Sequence, residues 1–194
     1  VRDIEVINTE LILADLQTVE RRMAKTEMMH RVGAKEAAVE LEVYREVQSV
    51  LNQGGRAGAL HMTGEKETIF LDLHLLTAKP VFYVANVDQK EFKGEGLCLK
   101  AITEWAQKER NKVVVICGDL EAELAELKEE EREEFRRELG LEGSSLERLI
   151  HIGYEILSLV TFYTTVSSEL RAWTVSGGTP APKAAGKIHI DMER

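Results

Sequence analysis

The sequence predicts an α/β chain: a parallel sheet with helices, preceded by a helical hairpin of coiled-coil spacing and followed by the start of a small β-rich module. Three observations carry this. Two amphipathic stretches flank Gly33, and two unbroken apolar runs at residues 81–85 and 113–117 are separated by an amphipathic segment. Beyond residue 160, β-forming runs alternate with Gly-rich turn signals.

Composition limits the classes of function. With 194 residues and 44% hydrophobic content, the chain can bury one sizeable core or two small ones. The 34 Asp+Glu outweigh 25 Lys+Arg for a net charge of −9, which disfavours nonspecific attraction to polyphosphate. Direct DNA binding is therefore not expected, and any nucleic-acid contact must come from a local patch. Cys98 and Cys117 fall in apolar sequence and are too few for a disulfide framework, which suits a reducing cytoplasm. No apolar run approaches the ~20 residues that span a bilayer, so no membrane association is expected. The opening Val1-Arg2-Asp3 is unlike a signal peptide, and both ends read as cut: one begins in helical sequence, the other stops on what reads as a strand.

Between residues 4 and 29, Ile12, Leu16, Val19 and Met23 recur at helical spacing among charged residues. After Gly33, Ala37, Leu41, Tyr44 and Leu51 repeat the pattern with Gln48 interrupting the seam. The pair predicts an antiparallel hairpin over residues 1–53, either a packing element or an arm that docks a protein partner. Residues 52–58 read as a linker, and residues 66–76 as a short helix. The runs at 81–85 and 113–117 suit parallel strands buried on both faces. Leu97, Ala101, Ile102, Trp105 and Ala106 supply the crossover helix of a β-α-β unit. Residues 120–139 predict one Glu-rich helix capped by Gly140, its Glu129-Glu130-Glu131 run a solvated face. From Ser145 as N-cap, Leu146, Leu149, Ile150, Tyr154, Leu157 and Val160 predict a last helix. A strand at 170–175, a turn at Gly177-Gly178 and a strand at 187–190 complete the reading.

Ligands of open parallel sheets sit beyond the carboxyl ends of the strands. That directs attention to Asn86-Val87-Asp88-Gln89 and Cys117-Gly118-Asp119. The first segment keeps the leading Asn of the N-K-x-D base-reading motif of P-loop GTPases. An Asn amide carries an acceptor and two donors, so it can tie loops together and touch a base edge. Gly118 lets a flat ring approach the backbone. The plainer alternative is an Asn that starts a turn after a strand.

Longer blocks carry a specific resemblance. Residues 3–16 (DIEVINTELILADL), 75–87 (LLTAKPVFYVANV), 120–127 (LEAELAEL), 171–174 (RAWT) and 181–189 (APKAAGKIH) follow one another as they do in the Obg-like ATPase (YchF-type) family of P-loop NTPases, which the chain resembles from end to end. The resemblance implies an α/β fold that is the second half of a P-loop NTPase. Residues 1–53 would be an inserted helical coiled-coil arm, 54–160 the C-terminal half of the NTPase domain, and 161–194 the truncated start of a β-grasp TGS domain. It implies ATP hydrolysis in preference to GTP, Mg²⁺ bound through residues absent here, and the large ribosomal subunit as a partner. It makes Asn86, Val87, Gln89 and Gly118 the base-binding residues. No catalytic or metal-binding residue is assigned in this sequence.

The residues agree that phosphate handling lies elsewhere. A P-loop needs G-x-x-x-x-G-K-[ST], and no such string occurs: Gly58 and Gly64-Glu65-Lys66 have the wrong gap, and Gly186-Lys187 is followed by Ile188. Gln89 stands where the family usually carries Glu. A neutral amide is compatible with adenine, which presents both donor and acceptors. At the next loop, Cys117-Gly118-Asp119 departs from the Ser-Ala or Cys-Ala type of relatives, so only backbone contacts carry over. The five histidines are scattered without ligand spacing, and His189 and Asp191 are expected to alternate on a strand. The leading expectation is thus an ATPase part carrying the base-recognition half. The alternatives are a non-enzymatic short form that binds ribosome or protein partners, and an inactive fragment.

Overall fold

A computed structural model describes residues 1–34, 36–91, 96–139, 143–166 and 169–193. The chain divides into two compact units, Val1–Pro80 and Val81–Arg194.

In the first unit, α1 (Arg2–Arg31) and α2 (Glu36–Asn52) form the expected hairpin. Gly33 turns the chain at φ +90°, a backbone angle that glycine adopts without strain. Val19 of α1 buries against Val43, Tyr44, Val47 and Leu51 of α2, and residues 54–80 add Ala57, Leu73 and Leu75 to the same core. α3 (Glu65–Asp72) ends earlier than its apolar pattern suggests, because His74 takes a left-handed φ of 50° and the chain swings Leu73 and Leu75 inward.

One buried carboxylate fixes this packing. Asp15 is only 2% exposed. Its Oδ1 accepts the Leu76 N–H at 2.8 Å, and its Oδ2 accepts the Thr77 N–H at 2.8 Å and the Thr77 hydroxyl at 2.7 Å. The Thr77 Oγ1 in turn accepts the Ala57 N–H at 3.0 Å. A buried charge is tolerated only when hydrogen-bonded in this way, and here the bonds join residues 61 and 62 positions apart.

In the second unit, β1 (Phe82–Asn86) and β2 (Lys112–Ile116) pair in parallel, from Phe82 opposite Lys112 to Asn86 opposite Ile116, with α4 (Leu97–Lys108) as the crossover. Beneath β1, the Tyr83 hydroxyl donates to Glu109 at 2.6 Å and accepts the Trp105 indole N–H at 3.2 Å. Asn111 donates to the same carboxylate at 3.0 Å. Burial, followed by the hydrogen bond to Glu109, pushes the Tyr83 hydroxyl above its ordinary pKa.

The expected single helix over 120–139 is two, α5 (Gly118–Glu126) and α6 (Glu129–Glu138). Leu127 and Lys128 are extended, and the Arg132 guanidinium donates to Leu124 O at 2.8 Å and Leu127 O at 2.9 Å, satisfying carbonyls that a helix end leaves open. Gly140 lies outside the described residues. α7 (Ser145–Ile156) is capped by Ser144, one residue earlier than expected: its Oγ accepts the Leu146 N–H, and Glu147 completes the capping box. The helix stops at Ile156, before Leu157 and Val160, where Ser158 adopts φ 50°.

β3 (Leu159–Val166) follows, a strand that the residue pattern does not announce, and it pairs antiparallel with β4 (Glu169–Ser176). The strand expected at 187–190 is absent. α8 (Ala181–Gly186) gives way to a 3₁₀ turn at Ile190–Glu193, and the amides of Ile188, His189 and Met192 donate locally to Ala185, Ala185 and His189 carbonyls. His189 and Asp191 consequently contact each other at 3.4 Å rather than alternating on a strand.

Replacing Asp15 with Ala leaves three buried or half-buried donors without an acceptor and should destabilise the first unit by about 3 kcal/mol, measured by urea unfolding. A loss below about 1 kcal/mol would show that the carboxylate is not the clasp described. In the second unit, an unfolded tyrosine ionises near the ordinary value of 10.0 while Tyr83 in the fold stays protonated. The stability that Tyr83 contributes is therefore fully present below that pH and is lost as pH rises past it. Tyr83→Phe should flatten part of that fall in tryptophan-fluorescence unfolding curves.

Candidate functional site

Parallel pairing places the carboxyl ends of β1 and β2 side by side, and the four expected base-site residues lie at or just past those ends. The ladder continues one step beyond the strands, with the Val87 N–H donating to Ile116 O at 2.9 Å. Asn86 is exposed, and its Oδ1 accepts the Gly118 N–H at 3.0 Å across the two loops. That donor fixes which way the amide points. Oδ1 faces Gly118, and Nδ2 of this exposed side chain has two N–H groups with no partner among the described residues.

Gly118 is the first residue of α5, and Cys117 beneath it is buried. A Cβ on Gly118 would stand 3.3 Å from Asn86 Oδ1, so any side chain there presses on the amide that the loop contact holds. Asp88 is committed to its own turn, its Oδ1 accepting the Glu91 N–H at 2.8 Å. Gln89 is exposed on that turn, and its side chain has no hydrogen bond among the described residues. The structure thus joins Asn86, Val87 and Gly118 through the two strand ends, and leaves Gln89 outside the hydrogen-bonded set.

A cavity of about 310 Å³ opens beside Gly118, lined by Ile116, Glu121, Leu124, Arg136, Ser145 and Leu149 among others. Glu121 accepts the Ser145 N–H at 2.8 Å and so ties the start of α7 to α5. No sequence signal marks this hollow, because its lining comes from β2 and three helices whose faces meet only in the fold. Cys98, expected in apolar surroundings, is exposed on the first turn of α4. Among the described residues, no cluster of three or more His, Cys, Asp or Glu could hold a metal ion, and no helix is long and apolar enough to cross a membrane.

Known proteins resemble the chain along its length. A family model described as "YchF-GTPase_C: Protein of unknown function (DUF933)" matches residues 159–194. "Ribosome-binding ATPase YchF" of Escherichia coli O157:H7 is 44% identical over 192 residues, 99% of this chain and 53% of the relative. The protein of that name from Bacillus subtilis is 40% identical, over 99% of this chain and 53% of the relative. "Obg-like ATPase 1" of Caenorhabditis elegans is 35% identical, over 100% of this chain and 50% of the relative. Among solved structures, the Schizosaccharomyces pombe YchF GTPase superposes with a TM-score of 0.86 at 28% identity, covering 98% of this chain and 52% of that one. The chain therefore spans about half the length of the curated relatives it matches.

The loop contact is testable on the chain alone. Asn86→Ala removes the acceptor of the Gly118 amide and should speed its hydrogen exchange about three- to tenfold, the equivalent of one net hydrogen bond. Unchanged exchange at Gly118 would mean that the strand ends are held together without Asn86.

Proposed function

Because the chain belongs to the Obg-like ATPase (YchF-type) family and has the α/β fold of part of a P-loop NTPase, we propose that it is the base-recognition part of a ribosome-associated, ATP-hydrolysing protein. The observation that carries this reading is the Asn86–Gly118 contact at the carboxyl ends of the parallel strands. It leaves two N–H groups of Asn86 without a partner among the described residues, beside a backbone without a side chain. A purine offers ring nitrogens as acceptors to such a donor, and Gly118 leaves room for the ring.

In this reading Asn86, Val87, Gln89 and Gly118 surround the base. The amide of Gln89 would favour adenine over guanine, because it lacks the carboxylate that accepts two guanine N–H groups at once. The phosphates of ATP and the Mg²⁺ that accompanies them would be held by the half of the family fold that contains the P-loop, since this sequence has no G-x-x-x-x-G-K-[ST] string. Bound Mg²⁺ would offset phosphate charge during hydrolysis. This chain's own residues contribute base contacts only. Residues 1–53 act as the arm, 54–160 as the C-terminal half of the NTPase domain, and 161–194 as the start of a TGS module. A cytoplasmic setting fits the two unpaired cysteines.

The test joins this chain to the N-terminal half of a YchF-type relative and measures nucleotide affinity calorimetrically. Asn86→Ala should weaken ATP binding about tenfold, the loss of one contact to a base. Gln89→Asp should move the preference towards GTP. Equal ATP affinity with and without Asn86 would remove that residue from the base site, and a parent that binds GTP more tightly than ATP would overturn the assignment of preference.

A further inference from the structure

The far end of the hairpin carries a surface that nucleotide chemistry does not use. Between residues 21 and 34, four Arg or Lys stand against one carboxylate, Glu27, in a chain whose net charge is −9. Only Arg22 of the four is paired, with Asp72 at 3.3 Å; Arg21, Lys25 and Arg31 are exposed and have no ion pair among the described residues. Cations at a helix carboxyl end are favoured by the helix dipole, but that effect fades within the last turn. Arg21 and Lys25 lie further back, so the dipole does not account for them.

Large apolar side chains are exposed among these charges. Met28 is 70% exposed, Met29 47% and Val32 85%. Arg21, Lys25 and Met28 follow at spacings of four and three residues, so they share one face of α1, and Val32 extends that face at the cap. The buried seam of the hairpin lies elsewhere, on Val19, Thr26, Ala37 and Leu41. Three exposed apolar groups at the same end of the hairpin as three cations unpaired among the described residues, with exposed Glu36 at the start of α2 the further carboxylate there, match a partner surface of net opposite charge with an apolar hollow.

We propose that this tip, formed by Met28, Met29 and Val32 with Arg21, Lys25 and Arg31, docks onto an acidic protein surface of the ribosome; the inference rests on the ribosome association proposed above. The apolar trio decides for protein over RNA. A phosphate backbone would engage the three cations and gain nothing from two thioethers and a valine, whereas an apolar hollow buries all three.

The experiment uses the full chain with purified ribosomes as the probe. A photo-crosslinking phenylalanine analogue is placed at position 28 in one variant and 32 in another, and binding is followed by co-sedimentation. The expected result is crosslinking to a ribosomal protein. The triple variant Met28→Ser/Met29→Ser/Val32→Ser should weaken binding about tenfold at both low and high salt. These positions are exposed, and circular dichroism checks that the helices persist. Crosslinks confined to ribosomal RNA would overturn the proposal. So would an apolar variant that binds like the parent while Arg21→Glu/Lys25→Glu/Arg31→Glu abolishes a steeply salt-dependent interaction. Failure of the parent chain to sediment with ribosomes would overturn the ribosome reading itself and this docking with it, whereas sedimentation with the wrong crosslinks overturns the docking alone.

Discussion

The parallel register of β1 and β2 is the constraint on which the second unit depends. With Asn86 opposite Ile116, and Val87 donating to Ile116 one step further on, the two loops leave the sheet at the same level. A slip of one residue would point Asn86 to the opposite face and carry its amide away from Gly118. The register is held from below as well, because Tyr83, Trp105, Glu109 and Asn111 join β1 to the end of α4 and the start of β2. Hydrogen bonding at one end of the sheet thus sets the geometry at the other.

The first unit solves a different problem. A two-helix hairpin has a narrow apolar seam and gains its stability by covering that seam with residues 54–80. The Asp15 carboxylate organises the cover, since its oxygens accept from two successive backbone amides and from a hydroxyl that itself accepts from Ala57. Ala57, Leu73 and Leu75 share one buried apolar cluster with Val47 and Leu51, while the carboxylate sets where the covering chain lies.

The elements legible in the sequence are those whose signal is periodic. The stripes of α1 and α2, the glycine between them, and the two β-former runs of the parallel sheet can be read from spacing alone. Asp15 cannot, because a carboxylate within an amphipathic helix reads as solvated until its oxygens are seen to meet the distant Leu76 and Thr77 amides. The break between α5 and α6 has no Gly or Pro to announce it. Arg132 reaches back eight and five residues to the carbonyls that the break leaves open, a side-chain contact that apolar spacing does not signal. β3 is hidden because Leu157 and Val160 also fit a helical period, and Ser158 ends the helix through a backbone angle that its residue type does not signal. The strand expected at 187–190 fails for the opposite reason: its alternation fits a strand, but local amide contacts win where no neighbouring strand among the described residues takes up the ladder. At the candidate site, Asn86 and Gly118 are legible as types. Their direct hydrogen bond, and the isolation of Gln89 from it, are not.

Base recognition and phosphate chemistry are separable in a P-loop fold, and the reading proposed above gives this chain the first. Most of the affinity of such a site comes from phosphate and metal contacts, so a base pocket alone is too small an anchor. The decisive measurement is ATP turnover and fluorescent-nucleotide binding by the 194-residue chain, beside the same chain joined to the N-terminal half of a YchF-type relative. With base recognition alone residing here, the joined protein should bind and hydrolyse ATP and the chain alone should do neither. Hydrolysis by the chain alone, at a rate and affinity like those of the joined protein, would reveal a phosphate site in these residues and contradict that division.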